Sequence, residues 1–171
     1  MSDERRHPQL VNVGEVETLH RSKGSRFGFA AKFLGRATGA HGLGCTWYDV
    51  PPGRTAFPRH YHCANEEALF VLEGEGTLRL GARTLLVRAG DYMTFPTGPE
   101  FAHQLTNTGH GPLRYLCLST MHGGAEVVGY PDSNKLGVMG GSDPSGRADP
   151  WVRAIFPSGA QVDYYEGEQV E

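Results

Sequence analysis

This 171-residue sequence lacks long hydrophobic runs and an excess of charge of either sign. It has 16 Lys and Arg residues against 19 Asp and Glu residues, a net charge of −3, and no basic stripe. A nucleic-acid-binding surface is therefore not predicted. The apolar runs are too short to span a bilayer, and the first residues, MSDERRHPQL, contain no apolar segment of a secretory signal. We expect a cytoplasmic protein with neither a nucleic-acid nor a membrane partner.

Cysteine is also scarce. The three cysteines, Cys45, Cys63 and Cys117, form an odd number with no CxxC pair, which argues against a disulfide framework and favours a reducing compartment. Hydrophobic residues make up 39% of the chain and charged residues 20%, as in ordinary folded proteins. The length suits one domain with a full hydrophobic core.

Glycine and proline are abundant, with 24 and 11 residues spread along the chain. They separate short segments rich in β-branched, aromatic and aliphatic residues, such as EALFVLEG, RTLLVRAG and PLRYLCLST. Such segments, without sustained helical periodicity, are typical of an all-β sandwich or barrel. Two tight hairpins are expected: LEGEGTLRL, with Gly74–Gly76 at its turn, and LRLGARTLL, with Gly81 at its turn.

The segments divide the chain into three parts. We predict a single domain over residues 1–171, with an N-terminal extension over 1–42, a barrel core over 43–121 and a C-terminal tail over 122–171. Turn residues dominate the tail, but it contains too many apolar residues for a solvated linker: Val127, Val128, Trp151, Ile155 and Phe156. The tail is therefore expected to wrap the barrel.

A pair of histidines forms the most distinctive chemical pattern. Residues two apart on a strand point to the same face, so His60 and His62 project together, about 7 Å apart at the backbone for a rise of ~3.3 Å per residue. A chain with eight histidines can contain such a pair by chance, so the pair alone is weak support for a metal site. Three further histidines lie in turn-like surroundings and are expected to be exposed: His41, His110 and His122.

Further ligand candidates follow the pair. Glu67 comes after a predicted turn and shares the face of Leu69 and Val71, so it points inward if they do, whereas Glu66 would point outward. His103 begins another alternating segment in a later strand. Three imidazoles and one carboxylate suit Zn, Mn, Fe, Co, Ni or Cu by ligand type.

The whole arrangement resembles the two sequence motifs of the cupin superfamily. The first block reads Gly53, six residues, His60-x-His62, four residues, Glu67, six residues, Gly74; the second reads Gly90, five residues, Pro96-x-Gly98, four residues, His103, three residues, Asn107. The resemblance covers roughly residues 43–120. It implies a double-stranded β-helix (jelly-roll) barrel and a ligand set of His60, His62, Glu67 and His103.

The family pattern also selects between the two glutamates, because Glu67 lies seven residues before Gly74. Two spacings depart from the pattern: His60 is one residue farther from its glycine, and His103 two residues farther, than is usual. Both additions fall in expected turns, so they leave the ligand set intact but could reshape the mouth of the pocket.

The segments around the motifs, PPG, HQLTNTGHGPLRYLCLST and YPDSNK, resemble a group of small single-domain cupins. Some of these are named sugar-phosphate isomerases by analogy. The implied cofactor is one divalent transition-metal ion, Zn, Mn, Fe or Ni. Cupins of this size commonly dimerise, and the apolar patches of extension and tail also favour a homodimer.

Three functions are open for such a site, because a metal with a free coordination position can polarise a carbonyl or bind O₂. One is an isomerase-like enzyme acting on a sugar, sugar phosphate or keto acid; the others are a dioxygenase and a non-catalytic binding module. No catalytic base is assigned, since Glu66 would point outward. Arg54 and Arg59 either bind an anionic substrate or form a solvated rim, and Cys63 is expected to point away from the metal.

Overall fold

The computed structural model describes residues 7–122, 124–141 and 151–169. The described strands are β1 (Leu19–Lys23), β2 (Phe27–Phe33), β3 (Leu43–Val50), β4 (Tyr61–His62), β5 (Glu67–Glu73), β6 (Glu75–Leu80), β7 (Arg83–Arg88), β8 (Tyr92–Phe95), β9 (His103–Thr106), β10 (Leu113–Thr120), β11 (Ala125–Tyr130), β12 (Lys135–Gly140) and β13 (Val152–Pro157). Helical structure within these residues is limited to α1 (Leu34–Ala37) and the 3-10 turns Val13–Glu15, Pro99–Phe101 and Pro131–Ser133. No described helix is long and apolar enough to cross a membrane.

The strands form three antiparallel sheets. A six-stranded sheet has the order β1-β2-β3-β10-β5-β8, a four-stranded sheet the order β13-β12-β11-β4, and a three-stranded sheet the order β7-β6-β9. A backbone bridge between His60 and His103 joins the two smaller sheets. The chain passes repeatedly from the large sheet to the smaller ones, and the predicted all-β jelly-roll architecture is confirmed.

The core lies between the six-stranded and the three-stranded sheets. On β5, Leu69 and Val71 are 6% and 0% exposed, whereas the alternate Phe70 and Leu72 are 37% and 42% exposed. Burial of each inward side chain contributes roughly 1.5–3 kcal/mol. The same alternation supplies the rest of the core, which includes Tyr48, Val50, Leu78, Val87, Phe95, Leu105, Leu113 and Tyr115.

One of the two predicted hairpins is wrong. Only Gly74 separates β5 from β6, but these strands do not pair: β5 lies between β10 and β8, and β6 lies between β7 and β9. Gly74 has a φ of +85°, and a Cβ there would collide with the carbonyl of Pro112. Glycine therefore lets the chain step from one sheet to another at this point. The second hairpin, β6–β7 with Gly81 at its turn, forms as predicted.

The C-terminal tail is more regular than its turn-rich sequence suggests. β11 pairs with β4, β12 with β11, and β13 with β12, so the tail extends the sheet that carries His62. Val128 is 5% exposed and packs inward, whereas Trp151 and Ile155 are 90% and 63% exposed. The apolar residues of the tail thus divide between the barrel and an open surface.

Candidate metal centre

The four predicted ligands come together from separate segments of the chain. His62 lies on β4, Glu67 begins β5 and His103 begins β9, while His60 immediately precedes β4. The His60 N–H donates to the carbonyl of His103 at 3.1 Å, and the His103 N–H donates to the carbonyl of His60 at 2.8 Å. These two hydrogen bonds hold the two motifs side by side.

The three imidazoles surround one oxygen of Glu67. Its Oε2 lies 3.6 Å from His60 Nε2 and 3.2 Å from the Nε2 atoms of both His62 and His103. Candidate ligand atoms of His60, His62 and Glu67 all lie within 4.8 Å of one another, and His103 joins them through its contact with Glu67. Two ligands ~2.1 Å from one ion and ~90–110° apart are ~3.0–3.4 Å from each other. The observed spacings fit the ligand shell of a transition metal.

Backbone carbonyls orient two of the imidazoles. His60 Nδ1 lies 2.9 Å from the carbonyl of Pro58, and His103 Nδ1 lies 3.1 Å from the carbonyl of Phe101. Because a carbonyl oxygen only accepts hydrogen bonds, both Nδ1 atoms donate. In the neutral imidazoles, each Nε2 then carries a lone pair on the side of Glu67, which is the form that binds metal.

The longer spacing in the second motif takes part in this orientation. The chain between Gly98 and His103 forms the 3-10 turn Pro99–Phe101, whose last residue supplies the carbonyl that holds His103. On one face, the His103 ring stacks on Phe95, with 3.7 Å between ring centroids and 9° between planes. The additional residues thus help to position a ligand.

His62 provides an independent test of whether a cation fits. Both of its ring nitrogens are buried and lack a hydrogen-bond partner among the described residues. Nε2 lies 3.2 Å from Glu67 Oε2 without hydrogen-bond geometry, and Nδ1 lies 3.7 Å from Glu126 Oε1. A buried unpaired polar atom costs about 1–3 kcal/mol. A cation among these lone pairs would remove that cost at Nε2, so the residues fit one divalent transition-metal ion.

Burial and neighbouring charges oppose each other at the site. Burial acts to raise the pKa of Glu67, but the imidazoles of His103, His60 and His62 outweigh it and hold that pKa well below its usual value. Burial lowers the pKa of His103. At His62 burial also acts to lower the pKa, but the carboxylates of Glu67 and Glu126 raise it overall. The carboxylate is therefore ionised at neutral pH, as a metal ligand must be.

Glu126, on β11, supports the site and was missed by sequence reasoning. It is 8% exposed, and its carboxylate accepts hydrogen bonds from the backbone N–H groups of Cys63, Ala64 and Asn65 at 3.1, 3.2 and 2.9 Å. These bonds fix the turn between His62 and Glu67. The only sequence signal was an acidic residue beside an apolar pair in the segment AEVV.

The ligand side chains line a cavity of about 220 Å³. At ~30 Å³ per water molecule, this is room for about seven waters. Its walls include Tyr48, Tyr115 and Tyr130, and burial raises the pKa of each phenol, so all three stay protonated. Among the described lining residues, Glu67 is the only carboxylate, and none is Lys or Arg. The candidate metal centre therefore faces a small chamber whose described walls carry no Lys or Arg.

Cys117 lies in the same cavity and contacts a proposed ligand. Burial raises the pKa of its thiol well above the usual value, and the nearby Glu67 carboxylate raises it further. The protonated Sγ donates to Glu67 Oε1 at 3.6 Å. Each oxygen of the Glu67 carboxylate thus has its own contacts: Oε1 with the thiol and Oε2 with the imidazoles.

The other predicted residues lie outside the cavity. Glu66 is exposed, as its parity predicts, and Cys63 is exposed too. Neither Arg54 nor Arg59 lines the cavity: Arg54 donates to the carbonyl of Phe27 at 3.0 Å, and Arg59 donates to the Asp132 carboxylate at 3.2 Å and to the carbonyl of Gly81 at 2.7 Å. The remaining candidates are exposed, as expected: His41, His110 and His122.

The sequence matches a known family over part of its length. Residues 46–119 match the family model of the cupin domain. An uncharacterized protein of Methanocaldococcus jannaschii is 37% identical over 71 residues, which are 41% of this chain and 54% of the relative. The match therefore spans about half the length of that relative.

Solved structures match over more of the chain. A protein provisionally named a sugar phosphate isomerase, from Acidithiobacillus ferrooxidans, has a TM-score of 0.76 and 23% identity over 91% of this chain and 96% of its own. A sugar phosphate isomerase of the cupin superfamily from Silicibacter pomeroyi has a TM-score of 0.73 and 21% identity over 95% and 96%. At these identities the likeness shows a shared fold. Taken with the domain match, it shows that residues 46–119 are similar to cupin domains and that the chain shares the fold of these structures.

Proposed function

We propose that this protein is a metal-dependent, isomerase-like enzyme acting on a small oxygenated substrate: a sugar, a sugar phosphate or a keto acid. The observation that carries the proposal is the convergence of three imidazoles and one carboxylate on the wall of a cavity of about 220 Å³. The bound ion would act as a Lewis acid on a carbonyl or hydroxyl group. The names of the two structural neighbours point in the same direction.

The cavity walls suit a small substrate with several oxygens. The phenols of Tyr48, Tyr115 and Tyr130 stay protonated, so they can donate hydrogen bonds to substrate oxygens but do not take up protons at neutral pH. Tyr130 is close to the ligand set, with 6.3 Å between its ring centroid and that of His60. The remainder of the wall is mainly apolar.

Proton transfer has few candidates among the described lining residues. Outside the four proposed ligands, none carries an imidazole or a carboxylate. A reaction that moves hydrogen between neighbouring carbons would therefore use a member of the ligand set or a water as its base. For this reason no separate catalytic residue is assigned.

Hydrogen exchange at carbon tests the proposal directly. Protein stripped of metal and reloaded with Zn, Mn, Fe(II) or Ni is incubated in D₂O with aldoses, ketoses and 2-keto acids, each with and without a phosphate group where both exist. Nuclear magnetic resonance then follows deuterium entry beside the carbonyl and the appearance of the isomer. We expect both to require metal, to be lost in Glu67→Gln and to persist in Glu66→Gln.

The alternative functions predict different results. Oxygen consumption without isomerisation would replace the proposal by a dioxygenase, in which the same ligands hold a redox-active metal. Tight binding of a small molecule without turnover, for every metal, would replace it by a non-catalytic binding module. Zinc alone in the purified protein would exclude the dioxygenase.

A further inference from the structure

A groove of about 900 Å³ adjoins the metal cavity. Tyr48, Ala56 and Phe57 line both spaces, so groove and cavity share a wall. The other sides of the groove come mainly from β1 and β2, and β13 contributes Arg153. A molecule too long for the cavity could therefore extend into the groove without leaving the protein surface.

The charged side chains that line the groove are all basic. They are Arg21 and Lys23 from β1 and Arg153 from β13, and the described lining contains no Asp or Glu. This differs from the chain as a whole, whose net charge is −3. Arg21, Lys23 and Arg153 form no ion pair with any described residue. The groove thus holds positive charge without a counter-charge from the residues that the structure describes.

Strand register places these cations beside residues that pack against the lining of the cavity. Arg21 lies opposite Phe29 in the β1–β2 ladder, so the two side chains share a face. Phe29 in turn packs against Tyr48 and Phe57, with ring centroids 5.4 and 5.2 Å apart, and both of these line the cavity.

The opposite side of the groove is built in the same way. On β13, Arg153 lies opposite Met139 of β12, and Met139 also lines the cavity. Arg153 is near enough to Tyr130, another cavity residue, to lower its pKa against the effect of burial. Cations from two distant parts of the chain therefore lie beside residues that line, or pack against the lining of, the same chamber.

We propose that this groove binds the phosphate group of an elongated substrate whose carbonyl end lies at the metal centre. The inference rests on the proposed function and narrows its substrate class to phosphate esters. A phosphate monoester carries −1.5 to −2 charges near neutral pH, and unpaired guanidinium and ammonium groups suit such an anion. Apart from the metal, the described lining of the chamber offers no Lys or Arg to a phosphate, whereas the groove offers Arg21, Lys23 and Arg153. The aromatic residues between them provide a surface for the carbon chain.

The test uses two probes that differ only in the phosphate group, fructose 6-phosphate and fructose. Titration calorimetry measures their affinities for the metal-loaded protein, with inorganic phosphate as competitor. We expect fructose 6-phosphate to bind at least about tenfold more tightly, since a hydrogen bond to a charged group is worth roughly one tenfold step or more. Arg153→Gln and Arg21→Gln should each weaken fructose 6-phosphate roughly five- to tenfold and leave fructose unchanged.

Arg83→Gln is the matched control, because Arg83 is an exposed arginine on β7 and does not line the groove. It should leave both affinities unchanged. Equal affinity for the two probes, binding of neither, or an equal loss in Arg83→Gln would overturn the phosphate site.

Removal of the metal with a chelator separates this inference from the proposed function. In the metal-free protein, inorganic phosphate should still compete with fructose 6-phosphate, because the groove cations do not depend on the metal. Competition lost on chelation would show that phosphate binds the ion, and would overturn the groove assignment. A protein that discriminates the probes but shows no isomerisation would retain the groove and disprove the function.

Discussion

Glu66 and Glu67 are neighbours in sequence but occupy opposite environments. Glu67 contacts three imidazoles and a thiol, whereas the side chain of Glu66 is exposed. The difference agrees with strand parity, since Glu66 immediately precedes β5 and successive side chains of an extended chain point to opposite faces. At the scale of one residue, Glu66 therefore serves as the control for substitutions of Glu67.

Substitution of these glutamates tests the ligand assignment. Glu67→Gln removes the negative charge at the centre of the ligand set, so we expect metal affinity to fall by on the order of 100-fold or more, beyond the 10–100-fold typical of supporting residues. Glu66→Gln should leave it unchanged. Metal content after dialysis and competition with a chelator measure both. Equal losses in the two variants would show that the parity assignment is wrong.

Long-range strand pairing brings Glu126 to the metal centre. β11 pairs with β4 through Val128 and His62, which carries the Glu126 carboxylate to the turn that precedes Glu67. Three backbone donors would lose a charged acceptor in Glu126→Gln. At the scale of elements, the tail therefore contributes to the geometry of a site whose ligands all lie in the central segment.

We expect Glu126→Gln to lower the free energy of unfolding by about 1–3 kcal/mol, as for other buried hydrogen bonds to charged groups. Metal affinity should fall about 10–100-fold, because His62 and the turn lose their support. Thermal denaturation with and without metal separates the two effects. Glu75→Gln, at an exposed position on β6, is the control. Unchanged metal affinity in Glu126→Gln would remove Glu126 from the site.

The 3-10 turn between β11 and β12 is tied to other elements by Asp132. Its carboxylate contacts Arg79 of β6 at 2.7 Å and Arg59, before β4, at 3.2 Å. Arg79, and to a smaller extent Arg59, lower the pKa of Asp132 from its ordinary value of 3.8, against the opposing effect of burial. A lowered carboxyl pKa stabilises the folded state above the unfolded pKa, and this contribution is lost as the pH falls through the folded value.

Asp132→Asn should therefore lower the free energy of unfolding at neutral pH. In acid, the native protein and the variant should become equally stable. The side chain is 39% exposed, so solvent and salt weaken the pairs and the expected change is about 0–1 kcal/mol. Urea denaturation of both proteins from pH 7 down to the lowest pH at which they fold measures the difference. A difference that grows on acidification would contradict the assigned sign.

Local patterns predicted the ligands, and distant contacts account for what was missed. His60, His62 and Glu67 follow from strand parity and motif spacing within eight residues of sequence. Gly74 shows the limit of such local patterns. A glycine between two strands predicts a change of direction, but distant strands decide whether the next strand pairs with the preceding one or joins another sheet. Arg153 shows it again, because its position beside the cavity requires three successive strand pairings in the tail.

At the scale of the whole molecule, two adjoining spaces, the metal cavity and the groove, differ in the charge of their lining residues. The metal cavity has no Lys or Arg among its described lining residues, and the groove has no Asp or Glu. A low-dielectric chamber strengthens interactions at the reacting atoms, whereas an open basic groove attracts anions from solution. This division would let one part of the fold hold a substrate while another part acts on it.

Among the described residues, the β13 edge of the four-stranded sheet is left without a neighbouring strand. β13 is the outer strand of the four-stranded sheet, and it is exposed on both faces: Val152 and Ile155 are 51% and 63% exposed, and the adjoining Trp151 is 90% exposed. An open edge strand with apolar side chains tends to pair with another chain. We therefore propose that a second copy covers this strand about a two-fold axis, which would make the protein a homodimer.

Light scattering tests this dimer against the chain mass of 18.6 kDa. We expect the native protein at twice that mass, and the double variant Val152→Lys/Ala154→Lys at the single-chain mass, because lysines on an edge strand oppose pairing between copies. These positions alternate with Arg153 along β13, so the variant leaves the groove face unchanged. Leu86→Lys, at an 86% exposed position on the edge strand β7, is the matched control and should remain dimeric. A native protein of 18.6 kDa at micromolar concentration, or a double variant that still dimerises, would exclude β13 as the interface.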